Sequence, residues 1–129
     1  LLKGSETVIT DGKTVLTDEK WLGFVIEQVL SNAVKYTPEG GAVTISCTDT
    51  PTLLISDTGI GVEPEDLPRV FEQGFTGYNG RADKKATGLG LYLCRRVCRK
   101  LGHTITMDSR VGEGTTVTIG LARTEREHE

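Results

Sequence analysis

The chain has 129 residues, of which 36% are hydrophobic and 26% charged, a composition typical of one globular domain with a single core. Fifteen basic and eighteen acidic residues give a net charge of −3, which excludes a general electrostatic attraction to nucleic acid or to an anionic membrane. No apolar run approaches the ~18 residues of a membrane span, so we expect no direct membrane contact in this fragment.

The N-terminal part predicts a hairpin followed by a long helix. Residues 5–17 hold two β-branched runs around Asp11-Gly12, a dipeptide typical of hairpin turns. The helix is predicted to begin near Asp18, a favoured N-cap residue, and to end before Pro38, because proline discourages helical geometry in the residue that precedes it.

This helix has two different faces. Apolar residues recur at helical spacing along one of them and predict a core-facing side. Gln28, Asn32 and Lys35 form a polar stripe beside it. A polar stripe on an amphipathic helix is either a solvated face or a binding surface, and the helix alone does not distinguish the two.

Two strands are predicted next, at residues 42–49 and 52–57, and the second is apolar enough to be central in a sheet. It runs directly into Asp57, which is followed by Gly59 and Gly61. An aspartate at a strand end can close a local turn, and glycines can supply positive φ, but the same residues can also bring backbone close to a ligand.

A short helix is predicted at residues 65–71, followed by glycine-rich, polar and charged sequence at residues 72–87, which we call the lid. A segment of this length without clear periodicity is typical of a functional lid or of disorder. Residues 88–91 then open a helix that reaches about Leu101. Free N–H groups at a glycine-rich helix start attract anions, so a phosphate can bind there.

The three cysteines are odd in number and match neither a disulfide framework nor a zinc site, which indicates a reducing compartment. Cys94 and Cys98 share the apolar face of the last helix, and we expect them to be buried small hydrophobes without chemistry.

Residues 103–109 and 115–121 predict two antiparallel strands around a turn at 110–114, and residues 122–129 a solvated tail. The element order predicts an α+β fold, a two-layer α/β sandwich with helices on one face of a mixed, mostly antiparallel sheet. We expect a single domain over 1–129 with its core at about 5–121.

Four motifs stand in a fixed order along the chain: N-x-x-K-Y-T-P from Asn32, D-x-G-x-G from Asp57, T-G-L-G-L from Thr87 and G-x-G-T-T from Gly112. Together they resemble the catalytic, ATP-binding domain of bacterial sensor histidine kinases, in the superfamily that includes gyrases and mismatch-repair ATPases. The resemblance covers roughly residues 5–121. Each motif alone is weak, and the ordered set is specific.

The resemblance implies roles for individual residues, with ATP and Mg²⁺ as cofactors. Asn32 matches the magnesium ligand and, with Lys35, the catalytic pair; Tyr36 matches a ring near the adenine. Asp57 matches the acceptor for the adenine amino group. The nucleotide-binding set implied in full is Gln28, Asn32, Lys35, Tyr36, Asp57, Gly59, Gly61, Arg81, Thr87, Gly88, Leu89, Gly90, Leu91, Thr115 and Thr116.

The lid departs from the commonest family pattern. Many members have two phenylalanines three residues apart, whereas Phe71 and Phe75 here are four apart, a variant that resembles kinases accompanying peptide-antibiotic transporters. Arg81, Lys84 and Lys85 are candidate phosphate contacts in the lid, although an exposed charge run is more often only solvated.

Neither His103 nor His128 matches the family's acceptor motif. The resemblance therefore implies a catalytic domain that donates the γ-phosphoryl group to a histidine on a separate dimerisation domain of the same parent, with a response regulator downstream. It further implies no nucleic-acid partner and a cytoplasmic location, as part of a membrane-anchored parent kinase.

Three other functions remain open on the sequence. A gyrase-like ATPase has a glutamate four residues before the metal asparagine to activate water, but here that place holds Gln28. Glu27 lies about 140° around the helix from Asn32. A serine kinase of the anti-sigma type shares these motifs, and a nucleotide-binding scaffold without an acceptor is the non-enzymatic alternative.

Overall fold

The computed structural model describes residues 19–75 and 90–121, and the bounds of its regular elements follow the sequence periodicity closely. Helix α1 spans Glu19–Tyr36 and helix α2 spans Gly90–Leu101. The strands are β1 (Val43–Thr48), β2 (Thr52–Asp57), β3 (Thr104–Arg110) and β4 (Gly114–Gly120). The short helix expected at 65–71 is a 3₁₀ turn over Leu67–Arg69.

Several expectations lie outside the described residues: the hairpin at 5–17, most of the lid and the tail. Within the described ranges, no helix is both long enough and apolar enough to cross a membrane.

The strands form one sheet in the order β1-β2-β4-β3, so β2 is central, as its apolar sequence predicts. Every strand pair among the described residues is antiparallel, and the parallel component of the expected mixed sheet does not occur within them. The register places Asp57 opposite Thr115, and Thr115 opposite Ser109 on the next strand. These three residues therefore form one row across the sheet.

The core lies between the sheet and the two helices. Val25 and Val29 of α1 are fully buried, as are Ile55 of β2 and Ile119 of β4, which face the helices because alternate strand residues point to the same side. Each such side chain contributes roughly 1.5–3 kcal/mol when fully buried. Helices cover one face of the sheet, and the predicted two-layer α/β sandwich is confirmed.

Helix α2 contributes Cys94 and Cys98 to this core, and neither has exposed surface. Burial raises the pKa of the Cys94 thiol to about 12 and that of Cys98 to about 11. The prediction that both are buried in the core is confirmed, and thiols with raised pKa values are little ionised at neutral pH.

Helix α1 ends where the sequence predicts, and its end leads into the site. The buried Thr37 hydroxyl donates a 2.6 Å hydrogen bond to the Ala33 carbonyl, which closes the last turn before Pro38. The carbonyl of Tyr36 then accepts a 3.2 Å hydrogen bond from the Ile60 N–H, in the loop after β2.

Candidate functional site

Asp57, at the end of β2, is held by backbone donors from two segments. Its Oδ1 accepts the Gly59 N–H at 2.8 Å and the Thr115 N–H at 3.2 Å. Partial burial raises the pKa of this carboxyl, and the two backbone hydrogen bonds oppose that rise. Because both bonds use Oδ1, the carboxylate has a set orientation and Oδ2 remains as an acceptor for a further donor.

The loop that follows Asp57 is fastened on three sides. The Ile60 N–H donates to Tyr36 of α1, and the Ile60 carbonyl accepts the Gly112 N–H of the β3–β4 turn at 2.9 Å. On the β1 side, the Thr58 N–H donates to the Ala42 carbonyl at 3.0 Å. The loop is therefore a rigid junction between α1, the start of β1 and the β3–β4 hairpin.

The two predicted glycines of this loop are required by close backbone approach. A Cβ at Gly59 would lie 2.5 Å from the Tyr36 carbonyl oxygen. Gly61 has a φ of +79°, and a Cβ there would overlap the Arg110 carbonyl. Both residues are buried, so a side chain at either position would push the loop away from α1 or from the hairpin.

Ser109 joins the same loop to the hairpin, and the sequence analysis missed it. Its Oγ accepts the Val62 N–H at 2.8 Å, lies 2.7 Å from the Thr115 hydroxyl and donates to the Gly114 carbonyl at 3.0 Å. The predicted hairpin could have identified Ser109, because a turn at 110–114 places residue 109 opposite residue 115.

The structure separates the two threonines that the sequence assigned together. Thr115 lies in the row with Asp57, on the helix-facing side of the sheet. Thr116 points to the opposite face because strand residues alternate, and its hydroxyl lies 2.9 Å from that of Ser56. Thr115 is thus part of the Asp57 site, whereas the Thr116 side chain is not directed towards it.

The polar stripe of α1 meets the start of α2. Gln28 and Asn32 are half-buried, and a Cβ at Gly90 would lie 3.0 Å from the Gln28 Oε1. Leu91 packs against the core and anchors the first turn of α2. Gln28 and Asn32 are therefore not freely solvated, and Gln28 lies beside a helix N-terminus whose N–H groups favour an anion.

Lys35 and Tyr36 lie together at the end of α1. Lys35 is exposed, and its ammonium is 5.4 Å from the centre of the half-buried Tyr36 ring, a cation–π distance. Glu27 is exposed and lines a shallow apolar groove together with Leu30, Val34 and Lys35, whereas Gln28 and Asn32 do not line it.

Each phenylalanine near the start of the lid is covered by an arginine. The Arg95 guanidinium of α2 is 5.6 Å from the centre of the Phe71 ring, and the Arg69 guanidinium is 4.7 Å from that of Phe75. The predicted site residues Arg81, Thr87, Gly88 and Leu89 lie outside the described residues, as do Lys84 and Lys85.

Asn32 suits a magnesium site that is completed by a ligand's own oxygens. The described ranges contain no group of three or more His, Cys, Asp or Glu residues that could hold a metal ion by themselves. Mg²⁺ prefers hard oxygen donors and is usually bound through few protein groups together with phosphates and water. The amide oxygen of Asn32, one helical turn after Gln28 beside the start of α2, is a donor of that kind.

Comparisons with known proteins agree with this geometry. Residues 17–125 match the family described as histidine kinase-, DNA gyrase B-, and HSP90-like ATPase. The chain is 46% identical over 107 residues to the sensor protein BceS of Halalkalibacterium halodurans, covering 81% of this chain and 32% of the relative. It thus spans about a third of the length of this curated relative.

Two solved structures extend the comparison. The mycobacterial sensor histidine kinase MprB matches with a TM-score of 0.71 and 32% identity, over 81% of this chain and 74% of that one. The crystal structure of full-length ShkA in complex with AMPPNP matches with a TM-score of 0.67 and 26% identity, over 90% of this chain and 25% of that one.

The resemblance inferred from the ordered motifs is therefore confirmed, and with it nucleotide binding as the general property of the fold. Because the family profile spans most of the chain and sensor kinases match it in sequence and in fold, this chain belongs to the family of histidine kinase-, DNA gyrase B- and HSP90-like ATPases, as a catalytic domain of the sensor histidine kinase kind.

Proposed function

We propose that this chain binds Mg-ATP and donates its γ-phosphoryl group to a histidine on a separate dimerisation domain of the same parent protein. The observation that carries the proposal is the fixed carboxylate of Asp57, whose Oδ1 is held by Gly59 and Thr115 while Oδ2 is left to accept. Such an acceptor suits a hydrogen bond from the exocyclic amino group of a purine.

A carboxylate at the proposed base site favours adenine over guanine. Adenine carries an amino donor at the position where guanine carries a carbonyl acceptor, so a carboxylate oxygen attracts the first base and repels the second. Tyr36, half-buried at the end of α1, is proposed to pack near the base, and Gly59 and Gly61 allow backbone to approach it.

The phosphates are proposed to lie at the other end of the site, between the α1 stripe and the start of α2. Asn32 would hold Mg²⁺, which neutralises phosphate charge when it is bound. Gln28 lies beside Gly90, and the exposed ammonium of Lys35 is proposed to attract the phosphates. We also propose that Leu91 lies at this phosphate end. From the sequence motifs, we propose the same for Arg81, Thr87, Gly88 and Leu89 of the lid and the helix start.

The phosphoryl acceptor is proposed to lie on another domain. His103, at the head of β3, is only 3% exposed and is not accessible to a transferred phosphoryl group. His128 lies outside the described residues. A response regulator would then receive the group, as expected for relatives named sensor proteins and sensor histidine kinases.

The same proposal covers domain organisation and location. We propose that 1–129 is a single catalytic domain with the lid at 72–87, located in the cytoplasm as part of a membrane-anchored parent. The spacing of Phe71 and Phe75 supports a parent of the peptide-antibiotic-sensing type.

Hydrolysis as the main activity is not favoured. The position from which a glutamate would activate water is occupied by Gln28, whose neutral amide cannot accept a proton. Glu27 is the adjacent carboxylate, and it lies exposed on the groove side of α1. An anti-sigma-type serine kinase is likewise not favoured by the relatives that match.

Radiolabelled phosphoryl transfer tests the proposal. With γ-labelled ATP and Mg²⁺, label should move to an added dimerisation domain that carries the parent's acceptor histidine, and this chain alone should release phosphate very slowly. Asn32→Ala should abolish transfer, whereas Glu27→Gln should leave it within a few-fold of wild type. Rapid phosphate release by the chain alone, or an equal loss of transfer in Asn32→Ala and Glu27→Gln, would contradict the kinase proposal and favour an ATPase.

A further inference from the structure

We propose that Ser109 is a positioning residue for base selection, which holds the two segments that orient Asp57 in a fixed relation to each other. This inference rests on the proposed reading of adenine by Asp57. Ser109 itself has no direct part in the proposed nucleotide contacts.

The hydroxyl of Ser109 is fully used. A serine hydroxyl has one donor and two acceptor positions. It accepts the Val62 N–H at 2.8 Å and donates to the Gly114 carbonyl at 3.0 Å, so its remaining acceptor position suits the Thr115 hydroxyl at 2.7 Å. One oxygen thereby connects the loop after Asp57 to both sides of the β3–β4 hairpin.

The two donors to Asp57 come from the segments that Ser109 connects. Gly59 belongs to the loop and Thr115 to the hairpin, and both N–H groups converge on Oδ1. If the loop and the hairpin shift relative to each other, one of these bonds lengthens and the carboxylate rotates. Because hydrogen bonds weaken steeply as they lose alignment, Oδ2 would then face the base less accurately.

A matched control exists on β2 and β4, one residue before Asp57 and one residue after Thr115. Ser56 and Thr116 form a cross-strand pair of hydroxyls at 2.9 Å, similar in chemistry and partial burial to the pair of Ser109 and Thr115. Ser56 points to the opposite face of the sheet. Ser56→Ala therefore removes a similar hydroxyl pair without removing the link between the loop and the hairpin.

The experiment is calorimetric titration of the full chain with ATP and with inosine triphosphate, each with Mg²⁺. Inosine triphosphate keeps the sugar and phosphates but has a carbonyl in place of the amino group. We expect Ser109→Ala to lose about tenfold in affinity for ATP and to stay within about twofold for inosine triphosphate, since hydrogen bonding by a fixed carboxylate is worth about this factor. Ser109→Thr, which keeps the hydroxyl, should restore most of the preference, and Ser56→Ala should stay within about twofold for both.

The outcomes separate this inference from the proposed function. A wild-type chain without preference for ATP over inosine triphosphate overturns the reading of adenine and this inference with it. A normal wild-type preference that Ser109→Ala retains overturns the inference alone. Equal losses for both nucleotides would make Ser109 a purely structural residue and also overturn it.

Stability of the variant is checked by thermal unfolding followed by circular dichroism. If Ser109→Ala is unfolded at the assay temperature, Ser109→Cys replaces it, because a thiol has nearly the same size and is only a weak hydrogen-bonding group. The same loss of preference is expected, and a retained preference would again overturn the inference.

Discussion

Replacing Asp57 with asparagine changes one atom of the proposed base reader. In Asp57→Asn, the amide oxygen can still accept the N–H groups of Gly59 and Thr115, which hold Oδ1 in the wild type. The amide NH₂ group then occupies the Oδ2 position. A donor therefore replaces an acceptor where the adenine amino group is proposed to bind.

The magnitude follows from the charge on the lost acceptor. A hydrogen bond to a charged group contributes about 1.5–3 kcal/mol, which corresponds to a loss of roughly 10- to 150-fold in affinity for ATP. The same NH₂ group matches the carbonyl of guanine. The ratio of ATP to GTP affinity should therefore fall further than the affinity for ATP alone.

Calorimetric titration with ATP and GTP in the presence of Mg²⁺ measures both affinities. Asp108→Asn is the matched control, since Asp108 is an exposed aspartate on β3 that lies opposite Thr116, on the other face of the sheet. It should leave both affinities unchanged. Equal binding of ATP and GTP by the wild type, or the same affinity ratio in wild type and Asp57→Asn, would refute the assigned pocket.

Three further outcomes are expected. Burial raises the pKa of the Asp57 carboxyl above its ordinary 3.8. The stability that the protonated carboxyl contributes is therefore fully present below pH 3.8 and is lost as the pH rises through the pKa of the folded state. In urea unfolding from about pH 3 to pH 7, the free energy of unfolding of Asp57→Asn should accordingly rise relative to that of wild type and then level off. A difference that shrinks with rising pH would contradict burial as the cause of the raised pKa. Thiol labelling of the native chain should reach the half-buried Cys47 first and spare Cys94 and Cys98, whose pKa values are raised to about 12 and about 11; equal labelling rates would count against their burial. Trypsin should cut at basic residues within 81–85 more slowly when an ATP analogue and Mg²⁺ are present, and unchanged cleavage would remove the support for a lid.

Local signals were sufficient for the elements and for part of the site. Helical periodicity with a proline boundary predicts α1 to within a residue or two, and the Asp57 motif after an apolar strand predicts the loop and its need for glycine at Gly61. These features depend on interactions between neighbours in sequence. Steric limits on φ and the spacing of apolar side chains act over a few residues, so they can be read directly from the chain.

Contacts between distant segments were decided by the tertiary structure. The sequence motifs identify Asp57 and allow its local turn with Gly59, but they do not show that Thr115, 58 residues away, donates to the same Oδ1. They also treat Thr115 and Thr116 as equivalent, whereas strand alternation places them on opposite faces.

By itself, the sequence determined helices α1 and α2, strands β1 to β4, the ordered motifs and hence the family. Only the tertiary structure decided that β4 pairs with β2 as well as with β3, so that Asp57, Thr115 and Ser109 lie in one row. The pairing of β3 with β4 is local and follows from a short turn. The pairing of β2 with β4 joins segments some sixty residues apart (Ser56 and Thr116 are 60 apart), and it depends on how both strands bury their apolar faces against the same helices.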